Sequence, residues 1–291
     1  MTGRERREAW EAVGFLSPWI IGFLLFTSGP LIASLVLSFY RWDVISAAQF
    51  IGLANYRELF RDETLRLSLY NTAVYALMMI PSSIAVALSL AMLLNQKLPG
   101  MRLFRTILYL PTLTQGVATY ALWRIVYDAD KGPINRVLRH FMENPPGWLI
   151  DPHWSKFAIV LMNLWGVGQM MLIFLAGLQN VPGQLYEAAS IDGAGPVRRF
   201  FSVTLPMLSP TIFLNMIMAT IGAFQVFAAA YVLTAGGPAK STLFYAYYLF
   251  NRAFVYFNMG YASAMAWLLF LIILILTGVQ IRYSRKWVHY A

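Results

Sequence analysis

Six stretches of the chain carry no charged residue: 12–40, 67–96, 106–123, 157–186, 200–239 and 253–281. Each is close to or longer than the roughly 20 apolar residues that a helix needs to cross a bilayer core about 30 Å thick. The charged positions lie between them. Lipid offers no hydrogen-bond partner, so a spanning segment must satisfy its own backbone, and a continuous apolar run does this as a helix. A closed β-barrel would instead show weak alternation in segments of about ten residues. The pattern predicts an all-α, polytopic membrane protein with six transmembrane helices, at 13–39, 67–95, 103–127, 155–178, 206–233 and 260–281.

Punctuation within the stretches refines this picture. Pro18 lies near the start of the first helix, and Gly29-Pro30 should kink it. Ser82, Ser83, Ala85, Ala87, Ser89 and Ala91 would let the second helix approach a neighbour closely. Pro111 interrupts the third. The pattern divides the chain into an N-terminal tail (1–12), the first helix (13–39), a polar loop (40–66), a core of the other five helices (67–283) with a polar connection at 179–205, and a C-terminal tail (284–291).

Composition agrees. Residues are 59% hydrophobic and only 12% charged, against about 25% charged in a soluble domain. The chain has no cysteine, which excludes disulfides and thiolate metal sites. His140, His153 and His289 all lie outside the apolar stretches and read as surface residues. A net charge of +9 suits contact with anionic headgroups of the lipid bilayer. No nucleic-acid partner is expected, because the basic residues are scattered among many short loops. The basic N-terminus followed by an apolar run is too long for a cleaved signal and reads as a retained first helix. With both termini cytoplasmic, the 22 basic residues, among them Lys97, Arg102 and Arg105 inside, divide evenly across the membrane. Charge alone therefore does not orient the chain.

The middle of every span lacks Asp, Glu, Lys, Arg and His. Proton-driven carriers need such groups as relays, so a self-sufficient secondary carrier is the weaker alternative. A membrane-embedded enzyme would need clustered polar catalytic groups at a helix end, and only Arg198 and Arg199 come near that, reading instead as headgroup or partner contacts. The sequence 236–242, GGPAKST, resembles a nucleotide-binding loop but lacks the glycine before Lys240 and reads as an interfacial turn. If the chain transports anything uphill, the energy must come from another polypeptide.

Between the fourth and fifth stretches the chain reads QNVPGQLYEAASIDGAGPVRRFFSVTLP. Asn180 is a candidate cap, Pro182 suits a first helical turn, and Gly193 suits a left-handed stop. Pro196 opens a second short helix. The spacing is Glu187-Ala188-Ala189, three residues, Gly193, nine residues, Val203, one residue, Leu205-Pro206. It resembles the signature of binding-protein-dependent ABC importer permeases, with Val203 where isoleucine is usual. FIGLANYRELF, LFRTILYLPTL, WLIDP, LAGLQNVP, VLTAGGPAKST and NMGYASAMAW are similar to the carbohydrate, maltose-type branch, so the resemblance covers nearly the whole chain.

That resemblance implies a cell (inner) membrane permease of a bacterium or archaeon, with both termini cytoplasmic. It implies a second permease subunit, non-identical in many such systems, two ATPase subunits that use ATP and Mg, and an extracytoplasmic solute-binding protein. No cofactor is expected on this chain. Glu187, Ala188, Ala189, Ser190, Asp192, Gly193 and Ala194 would form a short cytoplasmic coupling helix and turn against an ATPase. A neutral sugar needs hydrogen bonds and aromatic faces. The fifth helix offers Gln225 first, then Phe224, Phe227, Asn215 and Tyr231, each of which could equally serve helix packing. Glycerol phosphate or a related polyol is the alternative cargo.

Overall fold

The computed structural model describes residues 3–96, 98–114 and 116–288. Lys97 and His289 lie outside the described residues. Among the described residues the fold is helical apart from one short antiparallel strand pair, and the chain forms two compact units, 1–62 with 249–270, and 63–248 with 271–291.

In the first unit, α1 (Gly3–Phe23) and α2 (Gly29–Leu37) are joined by a π-helical turn at Leu24–Ser28. The expected kink at Gly29-Pro30 is thus taken up one turn earlier. Pro30 has no N–H to donate, and a widened turn relieves the clash of its ring with the preceding carbonyls. Helical geometry also starts at Gly3, inside the segment read as a tail. Strands β1 (Tyr40–Arg41) and β2 (Gln49–Phe50) pair antiparallel, and α3 (Ala54–Leu59) follows. Buried Asn55 fastens this corner by donating to the carbonyls of Ser38 at 2.8 Å and Tyr40 at 2.9 Å. Gly260 lies against the Tyr40 carbonyl, where a Cβ has no room.

In the second unit, α4 (Glu63–Leu94) runs unbroken through Pro81. Next come α5 (Met101–Leu113), α6 (Val117–Val126), α7 (Pro133–Leu138), α8 (Pro152–Leu164) and α9 (Gly168–Gln179). They are followed by α10 (Gly183–Ile191), α11 (Pro196–Arg199), α12 (Leu205–Met207) and α13 (Ser209–Phe224). Helix α14 (Tyr245–Phe250) and the long α15 (Met259–Ser284) close the chain, each contributing residues to both units. The core is a seam of α4 against α9. Ser83, Ala87 and Ala91, one turn apart, are buried, while Ala85 and Ser89 of the same small-residue run face outward. Fully buried Met171 and Phe174 of α9 and Leu208 complete it. Lipid tails are as apolar as these side chains, so close packing, not escape from water, holds such a seam. Gly177 brings α9 against Thr211, and Gly168 brings it against the backbone of Leu108.

Among the described residues, three helical stretches are long and apolar enough to cross a membrane: Trp10–Leu37, Glu63–Leu94 and Met259–Ser284. Two bent pairs would raise the number to five, Pro152–Leu164 with Gly168–Gln179 (51°) and Pro196–Met207 with Ser209–Phe224 (68°). The third expected span is divided into α5 and α6 about Gly116, whose φ is +152°. The fifth is not the straight helix that its apolar run suggests.

Candidate functional site

Two helix interruptions line one cavity of the second unit. Helices α8 and α9 part at Trp165–Val167. Helix α13 ends at Phe224, and helical structure resumes only at Ala228 before a π-helical turn at Ala230–Thr234. Gly166 and Val167 from the first break, and Gln225, Val226 and Phe227 from the second, are all wall residues of a cavity of about 580 Å³. That size lies within the range of small-molecule sites. Unwound backbone at membrane depth survives only where protein buries it or where it lines a cavity. The Gly166 carbonyl accepts from the Thr112 hydroxyl at 3.3 Å, which satisfies one freed group.

Among the described residues, the wall carries amides and phenols and no charged side chain. Gln225 and Gln169 are exposed to the cavity. Tyr75 accepts a 2.9 Å hydrogen bond from the Asn163 amide, and Tyr120 lies on the wall with them. Phe227 shows the cavity part of its ring and stacks on Tyr231 (centroids 5.5 Å apart, 16° between planes). Such a surface can hydrogen-bond hydroxyl groups and cover an apolar C–H face, and it has nothing to neutralise an anion.

Of the residues singled out in sequence, Gln225, Phe227 and Asn215 come together on this wall. Asn215 is buried and donates back to the Thr211 carbonyl at 3.0 Å, so part of its amide serves its own helix. Phe224 is buried off the wall, and Tyr231 stands off it, stacked on Phe227. Asn163, Gln169, Tyr75 and Tyr120 were not anticipated. Their signal was present as polar residues within charge-free stretches, a costly placement in lipid.

The second candidate site is the connection at 179–205. Helix α10 starts at Gly183 behind Pro182; Asn180 is not its cap but ends α9, because helical turns continue to Gln179. Gly193 has φ +73°. The Ala194 N–H donates to the Ala189 carbonyl at 2.9 Å and the Gly193 N–H to that of Ser190 at 3.1 Å, the paired bonds of a left-handed helix stop. Glu187, Ala188, Ser190, Asp192 and Gly193 are exposed; Ala189 and Ala194 are half-buried. The elbow is braced from inside. Tyr186 and Thr204 hydroxyls lie 3.0 Å apart, and Arg199 donates to the Ser190 hydroxyl at 3.1 Å.

The 236–242 turn is knitted into the unit. Asn71 donates to the Lys240 carbonyl at 2.8 Å, and the Ser155 and Ser241 hydroxyls meet at 2.8 Å. Ser241 and Thr242 are buried with their hydroxyls bonded inside the unit, so these are not presented to a phosphate. His140 and His153 are exposed. Asp151 caps α8 by accepting from the His153 N–H at 2.8 Å, which lowers its carboxyl pKa from the ordinary value.

Residues 97–289 match the family described as binding-protein-dependent transport system inner membrane component. The probable ABC transporter permease protein YesP of Bacillus subtilis is 44% identical over 290 residues, 98% of this chain and 94% of that protein. The trehalose/maltose transport system permease protein MalF of Thermococcus litoralis is 33% identical over 285 residues, 96% of this chain and 95% of its own. A crystal structure of a bacterial alginate ABC transporter, in complex with alginate pentasaccharide-bound periplasmic protein, contains a chain of the same fold. It has a TM-score of 0.83 at 21% identity, over 97% of this chain and 96% of that one. The protein therefore belongs to the binding-protein-dependent inner membrane components, as a multi-pass permease.

Proposed function

We propose that this chain is one permease subunit of an ATP-driven importer of uncharged sugars or oligosaccharides. The observation that carries the reading is the cavity of about 580 Å³ between two broken helices, with an amide- and phenol-bearing wall that lacks any charge. Its polar groups match sugar hydroxyls, and the ring of Phe227 matches a sugar's C–H face. Relatives such as the trehalose/maltose permease support this substrate class. The absence of a cation on the wall sets it above a glycerol phosphate cargo.

In this reading the chain crosses the membrane six times with both termini in the cytoplasm. The two bent pairs count as one span each, and α5 with α6 forms the remaining one. A second permease subunit completes the pathway, and two ATPase subunits supply the energy. A solute-binding protein delivers cargo from outside, as the periplasmic partner in the alginate complex suggests. Helix α10 fits an ATPase groove with its small exposed face at Ala188, while Glu187 and Asp192 offer charge to a basic residue there. Nucleotide-driven motion of α10 then passes through the bend at Leu208 into α13 and changes which side the cavity faces.

The test is uptake of labelled oligosaccharide by proteoliposomes that carry the whole complex with internal ATP. Gln225→Leu should lower uptake at limiting substrate by about fivefold or more, the loss of one or two hydrogen bonds, with subunit stoichiometry unchanged. Undiminished uptake by the correctly assembled variant removes this cavity as the sugar path.

A further inference from the structure

The corner joining α4 to α5 holds another cavity, of about 650 Å³, with Asn95, Gln96, Arg102, Arg105, Leu103 and Gln179 on its wall. Arg105 donates through Nη2 to the Leu94 carbonyl at 2.9 Å. Its Nε is buried and has no hydrogen-bond partner among the described residues. No acidic residue occurs in the sequence between Glu63 and Asp128, and neither arginine forms an ion pair among the described residues. Helix α5 starts here with no side chain capping its N-terminus, which adds partial positive charge. Two cations and an uncapped helix end thus converge on one hollow.

The surroundings say what kind of anion fits. Leu98, Leu103, Phe104 and Ile107 flank the arginines and are about half or more exposed (54%, 63%, 54% and 49%). A charged cradle at the rim of an apolar surface matches a molecule that is anionic at one end and apolar at the other. We infer that this corner binds the headgroup of an acidic phospholipid, with the phosphate on Arg102 and Arg105 and acyl chains along Leu103 and Ile107. Gln179, the last residue of α9, shares the wall, so the lipid sits at the root of the 179–205 connection. The inference rests on the importer reading only for the side of the membrane, the leaflet that faces the ATPases.

Native mass spectrometry of the purified whole complex, equilibrated with mixed phosphatidylglycerol and phosphatidylcholine, tests it. The parent should retain phosphatidylglycerol preferentially. Arg102→Gln, at an exposed side chain that makes no hydrogen bond among the described residues, should reduce that preference about fivefold, the effect of one charge near an anionic surface. Arg105→Gln should reduce it at least as far. Equal retention by parent and both variants overturns the site. Displacement by excess inorganic phosphate makes it a free-anion site and overturns the lipid assignment. A photo-crosslinker at Arg102 that captures an ATPase subunit in place of lipid assigns the surface to that subunit. ATP-driven uptake in the same preparation reports separately on the importer reading.

Discussion

Asp62 and Arg252 stand 190 residues apart in sequence and form a 3.0 Å ion pair within the first unit. The Asp62 side chain is only 8% exposed and also accepts from the Tyr261 hydroxyl at 2.7 Å. The guanidinium lies over the Tyr261 ring, 4.8 Å from its centroid. The pair holds the end of the 40–62 segment to the π-helical turn at Asn251–Val255, and Tyr261 ties both to the start of α15. Removing one partner of a buried pair costs more than the pair itself contributes, because the remaining charge keeps its desolvation penalty. Arg252→Met should therefore destabilise the detergent-solubilised protein by about 3 kcal/mol or more, read as a lowered melting temperature. The double variant Asp62→Leu with Arg252→Met should recover much of the loss. A single variant that melts with the parent would show that the pair does not hold this corner. Neither residue was conspicuous in the sequence. Each borders an apolar stretch, where a charge is ordinary, and only the folded chain makes them neighbours.

The elements divide into those whose pattern sufficed and those that tertiary structure reshaped. Helices α4 and α15 follow their charge-free stretches closely, since nothing but a helix satisfies so long an apolar backbone. Gly193 was equally legible, because an apolar turn followed by Asp-Gly-Ala-Gly has few other ways to end. The break at 225–227 was not. The local sequence GAFQVF has no proline, and its one glycine, Gly222, lies inside α13. Packing around the cavity, not propensity, ends that helix. The strand pair β1–β2 is two residues long on each side, too short for an alternation to show.

Substitutions at Gly193 separate conformation from coupling. A Cβ there meets nothing within 4 Å, so the chain itself leaves room for a side chain and only the positive φ resists one. Asparagine tolerates that region best among the other residues. Gly193→Asn and Gly193→Arg should both insert and purify normally. Asn should retain most substrate-stimulated ATPase activity, whereas Arg, which projects into the space proposed for the ATPase, should reduce it at least tenfold, a penalty of about 1.4 kcal/mol. Full stimulation in the Arg variant would take α10 out of the coupling pathway.

For the whole molecule, the question is where the work comes from. The cavity wall has no titratable carboxylate or imidazole to relay a proton, and the 236–242 turn is closed on itself by buried hydroxyls. What the fold does have is a pair of broken spans around one hollow and an exposed elbow leading into one of them through a 68° bend. A bend at a packed seam transmits displacement when something outside pushes on the elbow, and it supplies no energy of its own. Uptake by the reconstituted complex should therefore follow internal ATP hydrolysis, vanish with a non-hydrolysable nucleotide, and persist when protonophores or sodium ionophores collapse ion gradients. Proteoliposomes holding the permease subunits without the ATPases should show no accumulation above the external concentration under an imposed gradient of either ion. Accumulation in those vesicles would mean that the polar wall itself couples an ion to the sugar, and α10 would then need another purpose.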